Sequence, residues 1–439
     1  MLQAKKKTGL VFFPAFDWAI SPTHPEREER LLYTQDQVFE EGLLDIDGIY
    51  EYKPDLVTIN DVQRVHFCVP DPWAVMTESH FISAGGAKTI GMAVMDGTVE
   101  RGFAIVRPPG HHACRIVHGC RGFCNVNIEA IMIEYIRRAY GVKRIAIVDT
   151  DCHHGDGSQD IYWHDPNTLF ISLHQDGRTL YPGSGFLKER GGPNAVGTTV
   201  NIPLPPNTSD EGFLYAIREM VLPILDEFKP ELIINSAGQD NHYSDPITNM
   251  NLSARGYAEL TTLLKADIAV LEGGYAIEGA LPYVNTGIIL AMAGLDYDHL
   301  SEPDYDPAAY RQSRETTEYI HQLGERVLEQ WHNREALTRS VRSMDNPDQR
   351  TRNIYYDTDN IQEQQHETIR ICDDCGGALR IESSANRGQP ILAVHIPVDA
   401  CAACQEQGHR WFDTARRDQF ANIYLQDRTT DRYTSANKK

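Results

Sequence analysis

No stretch of about 20 apolar residues occurs in this chain of 439 residues, so no membrane-spanning helix is expected. Gly9 to Phe16, following Lys5-Lys6-Lys7, is apolar but short. Asp17 closes it and no small-residue cleavage site follows, so it reads as the first strand of a sheet and not as a leader. Positive charge is scarce: 41 Lys and Arg stand against 62 Asp and Glu, a formal net charge of -21. Such a surface repels phosphates, which argues against a nucleic-acid partner and favours a cationic one, although acidity also serves solubility alone. No basic run of the nuclear-import kind is present, and the 9 cysteines fit a reduced protein, so a cytoplasmic location is expected.

What is present fits one large α/β domain and something smaller. Hydrophobic residues make up 41% and charged residues 23%, the composition of an ordinary globular protein. Helical segments (Ile128 to Arg138, Asp210 to Phe228, Arg255 to Leu264) alternate with short apolar strands (Arg144 to Val148, Thr168 to Leu173, Leu232 to Ile234, Ile268 to Leu271). That alternation predicts a central parallel sheet covered by helices on both faces. Ligands then belong at the carboxyl ends of the strands.

Chemistry-bearing residues fall at those ends. Asp151-Cys152-His153 follows the strand that ends at Val148, and His111-His112 sits on a loop stiffened by Pro108, Pro109 and Gly110. Further along come Asp245-Pro246 and, after a third strand, Glu272-Gly273-Gly274-Tyr275. Alone, an Asp-x-His triplet is more often a cap or a hydrogen-bonded loop, and adjacent histidines are usually surface residues. Together they describe metal ligands beside proton carriers, the chemistry of hydrolysis.

Arg107-Pro108-Pro109-Gly110-His111-His112-Ala113, Gly122-Phe123-Cys124, Asp149-x-Asp151-x-His153-His154-Gly155-Asp156-Gly157, Ser172-Leu173-His174, Asp245-Pro246 and Glu272-Gly273-Gly274-Tyr275 run in one order. In this the chain resembles the arginase/deacetylase superfamily, and within it the zinc-dependent histone deacetylases and acetylpolyamine amidohydrolases. The resemblance implies the arginase/deacetylase fold and a catalytic zinc on Asp151, His153 and Asp245. It implies His112 as general base and then acid beside His111, with Asp149 behind His111 and Asp156 behind His112, and Tyr275 as oxyanion stabiliser. Phe123 and Tyr181 match the aromatic walls of an acyl-lysine tunnel, and Gly122 the carbonyl that accepts from the substrate amide. Potassium is implied at Asp149, Asp151, His153, Ser172 and Leu173, with a second site near Tyr162, Asp165 and Thr168. The implied partner is an acylated lysine peptide or protein, or else an acetylated polyamine, with homo-oligomerisation left open. An acidic anchor for a peptide is sought at Asp71 or Glu78. A ureohydrolase is disfavoured for want of bridging aspartates, and an inactive acyl-lysine reader by the complete set of His111, His112 and Tyr275.

The rest departs from the resemblance. Residues 1–339 are expected to form the catalytic domain, 340–365 a polar linker, and 366–439 a zinc-ribbon-like domain. Cys372-x-x-Cys375 and Cys401-x-x-Cys404 are expected to hold a structural zinc, because a closed four-sulfur site leaves no open position for catalysis. Ile391 to Ile396 reads as a strand of that small module, whose stability the metal would supply. Cys152, between two expected ligands, reads as a small buried residue.

Overall fold

The computed structural model describes residues 2–303 and 305–437. In chain order the strands of the first part are β1 (Gln3–Phe13), β2 (Asp47–Tyr52), β3 (Phe67–Cys68), β4 (Arg101–Val106), β5 (Ile116–Val117), β6 (Ile145–Asp149), β7 (Thr168–Gln175), β8 (Thr199–Leu204), β9 (Leu232–Ser236) and β10 (Ile268–Val270). Eight of them form one sheet in the order β2-β1-β4-β10-β9-β6-β7-β8, with every pairing parallel. β3 and β5 pair separately.

The strands are short and apolar because both faces are covered. In β6, Ala146 and Val148 join one buried cluster while Ile145 and Ile147 join another on the opposite face. The helix Ile128–Tyr140 packs on the second of these. It is started by the Asn127 side chain, which accepts from the Ala130 amide, and stopped by Gly141 in the left-handed region at φ 71. The apolar run from Gly9 does lie in the first strand of the sheet, but that strand begins at Gln3 within the polar segment and ends at Phe13, short of Phe16. Among the described residues, no helix is long and apolar enough to cross a membrane.

The expected linker is not one. Helix Arg334–Arg342 is followed by β11 (Gln349–Tyr356) and β12 (Ile361–Ile369), which open a second sheet. It continues through β13 (Leu379–Ala385), β14 (Ile391–Ile396), β15 (Asn422–Asp427) and β16 (Arg432–Asn437), neighbours in chain order throughout. Only β14 and β15 pair in parallel, and the helix Ala402–Asp413 makes their crossover. The inward positions of β12 include Glu363, Gln365 and Glu367, all buried, so its alternation is real but carries little hydrophobic signal.

This second sheet has two buried faces. Leu392, Val394 and Ile396 of β14 pack with Phe420 and with Trp411 of the crossover helix. Ile391 and Ala393, with Ile369, Leu379, Ile381 and Tyr424, pack instead on Phe67 and Ile116 of the first part. Polar bonds tie the same seam: Tyr356 Oη donates to Ile116 O (3.1 Å), Tyr424 Oη to Pro70 O (3.0 Å) and Asn194 Nδ2 to Gly376 O (2.8 Å). The expected boundary between catalytic domain and module therefore runs through a shared core. A chain ending at Ser343 exposes the Phe67 and Ile116 face, and we expect it to elute as aggregates in size-exclusion chromatography. A monomeric, fully active truncate would show that the two parts are separable.

Candidate active site

Four neighbouring strands, β4, β10, β9 and β6, deliver the site from their carboxyl ends. His111 and His112 follow β4, Asp151 and His153 follow β6, Asp240 and Asp245 follow β9, and Glu272 and Tyr275 follow β10. Three of these four loops are held by carboxylates from another. Asp151 Oδ2 accepts from the Gly273 amide (2.6 Å), Asp240 Oδ1 from the Cys152 amide (2.7 Å), Asp245 Oδ2 from the Tyr275 amide (2.8 Å), and Glu272 Oε2 from the Gly110 and His111 amides (2.7 and 2.9 Å).

The histidine pair has the expected partners. His111 Nδ1 lies 3.1 Å from Asp149 Oδ2 and His112 Nδ1 2.9 Å from Asp156 Oδ1. Arg121, which the sequence reading passed over, grips Asp156 with two nitrogens at 2.7 and 2.5 Å. Burial would raise the Asp156 carboxyl, but the Arg121 guanidinium outweighs it and holds the carboxyl well below its ordinary range. An ionised Asp156 only accepts, so a neutral His112 carries its proton on Nδ1 and presents Nε2 as the base. Burial, then the charge on His111, pushes His112 down to about 3. For His111, burial is overcome by the carboxylates of Asp151 and Asp149, which hold it well above the ordinary imidazole value.

The metal-ligand candidates converge. Ligand atoms of Asp151, His153 and Asp240 lie within 4.8 Å of one another, and all three residues are buried. His153 Nδ1 sits 2.8 Å from Asp240 Oδ2 and 3.3 Å from Asp151 Oδ1. The third member of this group is Asp240; the expected Asp245 borders it, its oxygens accepting from the Ile247 and Tyr275 amides. Two carboxylates and an imidazole are a donor set that suits zinc. Asp149 and Asp245 add further buried carboxyls, pushed up by burial to about 6 and about 7, and a cation bound beside them would favour their charged forms.

Tyr275 is 7% exposed, and burial raises its phenol well above the ordinary value, so the hydroxyl stays a donor. Its ring lies under the Arg30 guanidinium (4.9 Å) and edge-on to Phe123 (5.5 Å). Tyr181 stands edge-on to His112 at 5.2 Å. Gly122 and Phe123 both have left-handed backbones, φ 52 and 68, and a Cβ on Gly122 would collide with the His112 ring. Ser172 and Leu173 lie inside β7, where Ser172 pairs with Asp149, and Ser172 Oγ is bonded to His174 Nδ1 (2.8 Å). At the second expected potassium position Arg137 already supplies positive charge, reaching Asp165 Oδ2 (2.7 Å) and Thr168 Oγ1 (2.6 Å). Asp71, one of the two residues considered as an anchor, caps a helix through Oδ1, which accepts from the Trp73 and Ala74 amides. Cys152 is buried in the core, as expected.

In the second sheet Sγ of Cys372 lies 3.7 Å from Cys375 and 3.8 Å from Cys401, and Cys404 completes the group. A tetrahedron with Zn–S bonds of about 2.3 Å has edges of about 3.8 Å, so the four thiols are spaced to take the ion.

Residues 73–290 match the histone deacetylase domain. Over 326 residues the chain is 44% identical to a "Probable deacetylase" of Archaeoglobus fulgidus, covering 68% of this chain and 89% of the relative. The chain belongs to the histone deacetylase family. It is also 34% identical to the acetoin utilization protein AcuC of Bacillus subtilis and 32% identical to the histone deacetylase-like amidohydrolase of Pseudomonas aeruginosa, spanning 62% and 63% of their lengths and 53% and 52% of its own. Among solved structures it is similar to the crystal structure of the HDA15 HD domain, with a TM-score of 0.65 and 26% identity over 78% of this chain and 100% of that one.

Behind the family motifs lies a support that the sequence did not reveal. Arg30 donates to Gly274 O (2.8 Å) and to Glu272 O, fixing the turn that carries Tyr275. Glu26 bridges Arg30 (2.8 Å) and Arg107 (2.6 Å), and all three side chains are fully buried. Glu26→Ala leaves two guanidiniums buried without a counter-charge. We expect it to cost about 3–5 kcal/mol of stability, read as a lower urea midpoint with unchanged slope.

Proposed function

We propose that this chain is a zinc-dependent deacylase that removes acetyl groups from lysine side chains. The observation that carries the reading is His112. Its Nδ1 is committed to an Asp156 that Arg121 keeps ionised, so Nε2 is left to move protons beside the Asp151, His153 and Asp240 cluster. Asp151 and His153 would hold the ion with a third carboxylate from the loop after β9, where Asp240 lies in the cluster and Asp245 borders it. A zinc ion there would supply Lewis acidity to the acyl carbonyl and make water acidic enough to attack near neutral pH.

The chain's own groups perform the rest. His112 Nε2 takes a proton from the attacking water and passes it to the nitrogen as the C–N bond breaks, giving a carboxylate and a free amine. The protonated Tyr275 hydroxyl donates to the oxyanion that forms in between. Phe123 and Tyr181 line the approach, where a butyl chain sheds water without needing polar partners. The net charge of -21 supports a cationic substrate. That same charge suits acetylated polyamines, the alternative substrate class.

Turnover of an acetyl-lysine peptide against acetylated putrescine and spermidine, by zinc-loaded protein, tests the reading. We expect preference for the peptide; inertness of the wild type towards every acyl amide would sink the assignment. Tyr275→Phe should retain zinc yet lose about 10²–10³-fold in kcat, the usual effect of deleting an oxyanion donor. Asp151→Asn should lose the catalytic zinc while the four-cysteine zinc remains, seen as a fall from two metals to one per chain by elemental analysis.

A further inference from the structure

The loop from Cys114 to Cys124 lies between the catalytic residues and the second sheet. On one side Arg121 grips Asp156, Gly122 packs against the His112 ring and Phe123 stands on Tyr275. On the other side the loop meets the turn between β11 and β12, residues 357–360. The Cys120 amide donates to Asp359 Oδ2 at 2.6 Å, and the Gly122 amide donates to the Asp357 carboxylate at 3.1 and 3.3 Å. These two amides flank Arg121. A Cβ at Gly119 would collide with Asp359, so glycine there permits the close approach. Further along, His118 Nε2 lies 2.9 Å from Ser383 Oγ of β13.

Two successive residues with left-handed φ, one of them a phenylalanine, are a conformation that surrounding contacts must impose. The structure offers two charge-assisted hydrogen bonds from another sheet for that purpose. We propose that Asp357 and Asp359 are positioning residues for the hydrolysis: the second sheet completes the active site by fixing the loop that carries Arg121, and through it Asp156 and His112. Neither aspartate touches the reacting atoms. The inference rests on the reading of His112 as the proton carrier, and it makes the C-terminal extension part of the catalytic apparatus and not a docking appendage.

The test uses the full-length, zinc-loaded chain with the double variants Asp357→Ala/Asp359→Ala and Asp357→Asn/Asp359→Asn. Kinetics on an acetyl-lysine peptide are read together with hydrogen exchange at the Cys120 and Gly122 amides. The alanine pair should lower kcat by about tenfold or more with KM nearly unchanged, and should speed exchange at both amides. The asparagine pair, whose side-chain oxygens still accept, should keep most of kcat. Unchanged exchange in the alanine pair would overturn the proposal. So would a rise in KM alone in both pairs, which would make the charges a substrate contact. If the alanine pair does not fold, Asp357→Ala alone carries the same readouts. An inert wild type would count against the proposed reaction, whereas the exchange readout judges the positioning role by itself.

Discussion

Asp149, Asp151 and Asp240 are fully buried, and Asp156 and Asp245 nearly so, at the ends of adjoining strands. A carboxylate withdrawn from water costs several kcal/mol unless something replaces the hydration. Much of the surrounding architecture is that replacement. Asp151 accepts from the His153 and Gly273 amides and Asp149 from the Asp151 amide, so satisfying the acids also fixes the loops that bear them. A Cβ at Gly273 would strike both Asp151 and Asp240, which is why a glycine must stand where the backbone closes on the acids.

The same demand reaches outward. Glu272 orients the histidine loop through two amides, its own carbonyl is held by Arg30, and Arg30 needs Glu26, which needs Arg107. Such a chain of buried charges is costly as a source of stability but permits few alternative packings. Rigidity is useful here, because proton transfer and oxyanion stabilisation both fail when donors drift by about an ångström.

What could be read in the sequence was local. The apolar run of β6 followed by Asp-x-Asp-x-His gave strand, turn and candidate ligands within ten residues of one another, and the pairing of His112 with Asp156 followed from the resemblance. Arg30 and Glu26 could not be read this way, since they act on residues 272–274 and 107 from a stretch with no periodic pattern. Asp240 and Asp245 show a finer limit. Both sit in one loop, and only its folded path decides which carboxylate comes into the cluster.

The reading of residues 340–365 as a linker fails for a different cause. Strands whose inward positions mix Glu363, Gln365 and Glu367 with Ile354, Tyr356, Ile361 and Ile369 carry too weak an apolar alternation to stand out from a solvated linker. The partners come from both parts: Glu363 accepts from Tyr356, Gln365 and Ser383 of its own sheet, and further contacts cross the seam. Glu363 lies 3.4 Å from His118, Glu367 lies 3.7 Å from His164, and Arg352, 3.6 Å from Glu367, reaches across to Asp160. The seam completes the set of partners these buried acids need, which is why side chains so polar can stand at inward positions of a sheet. The second sheet and the active-site loop are in this sense one packed unit, joined by polar contacts that neither could replace with water once buried.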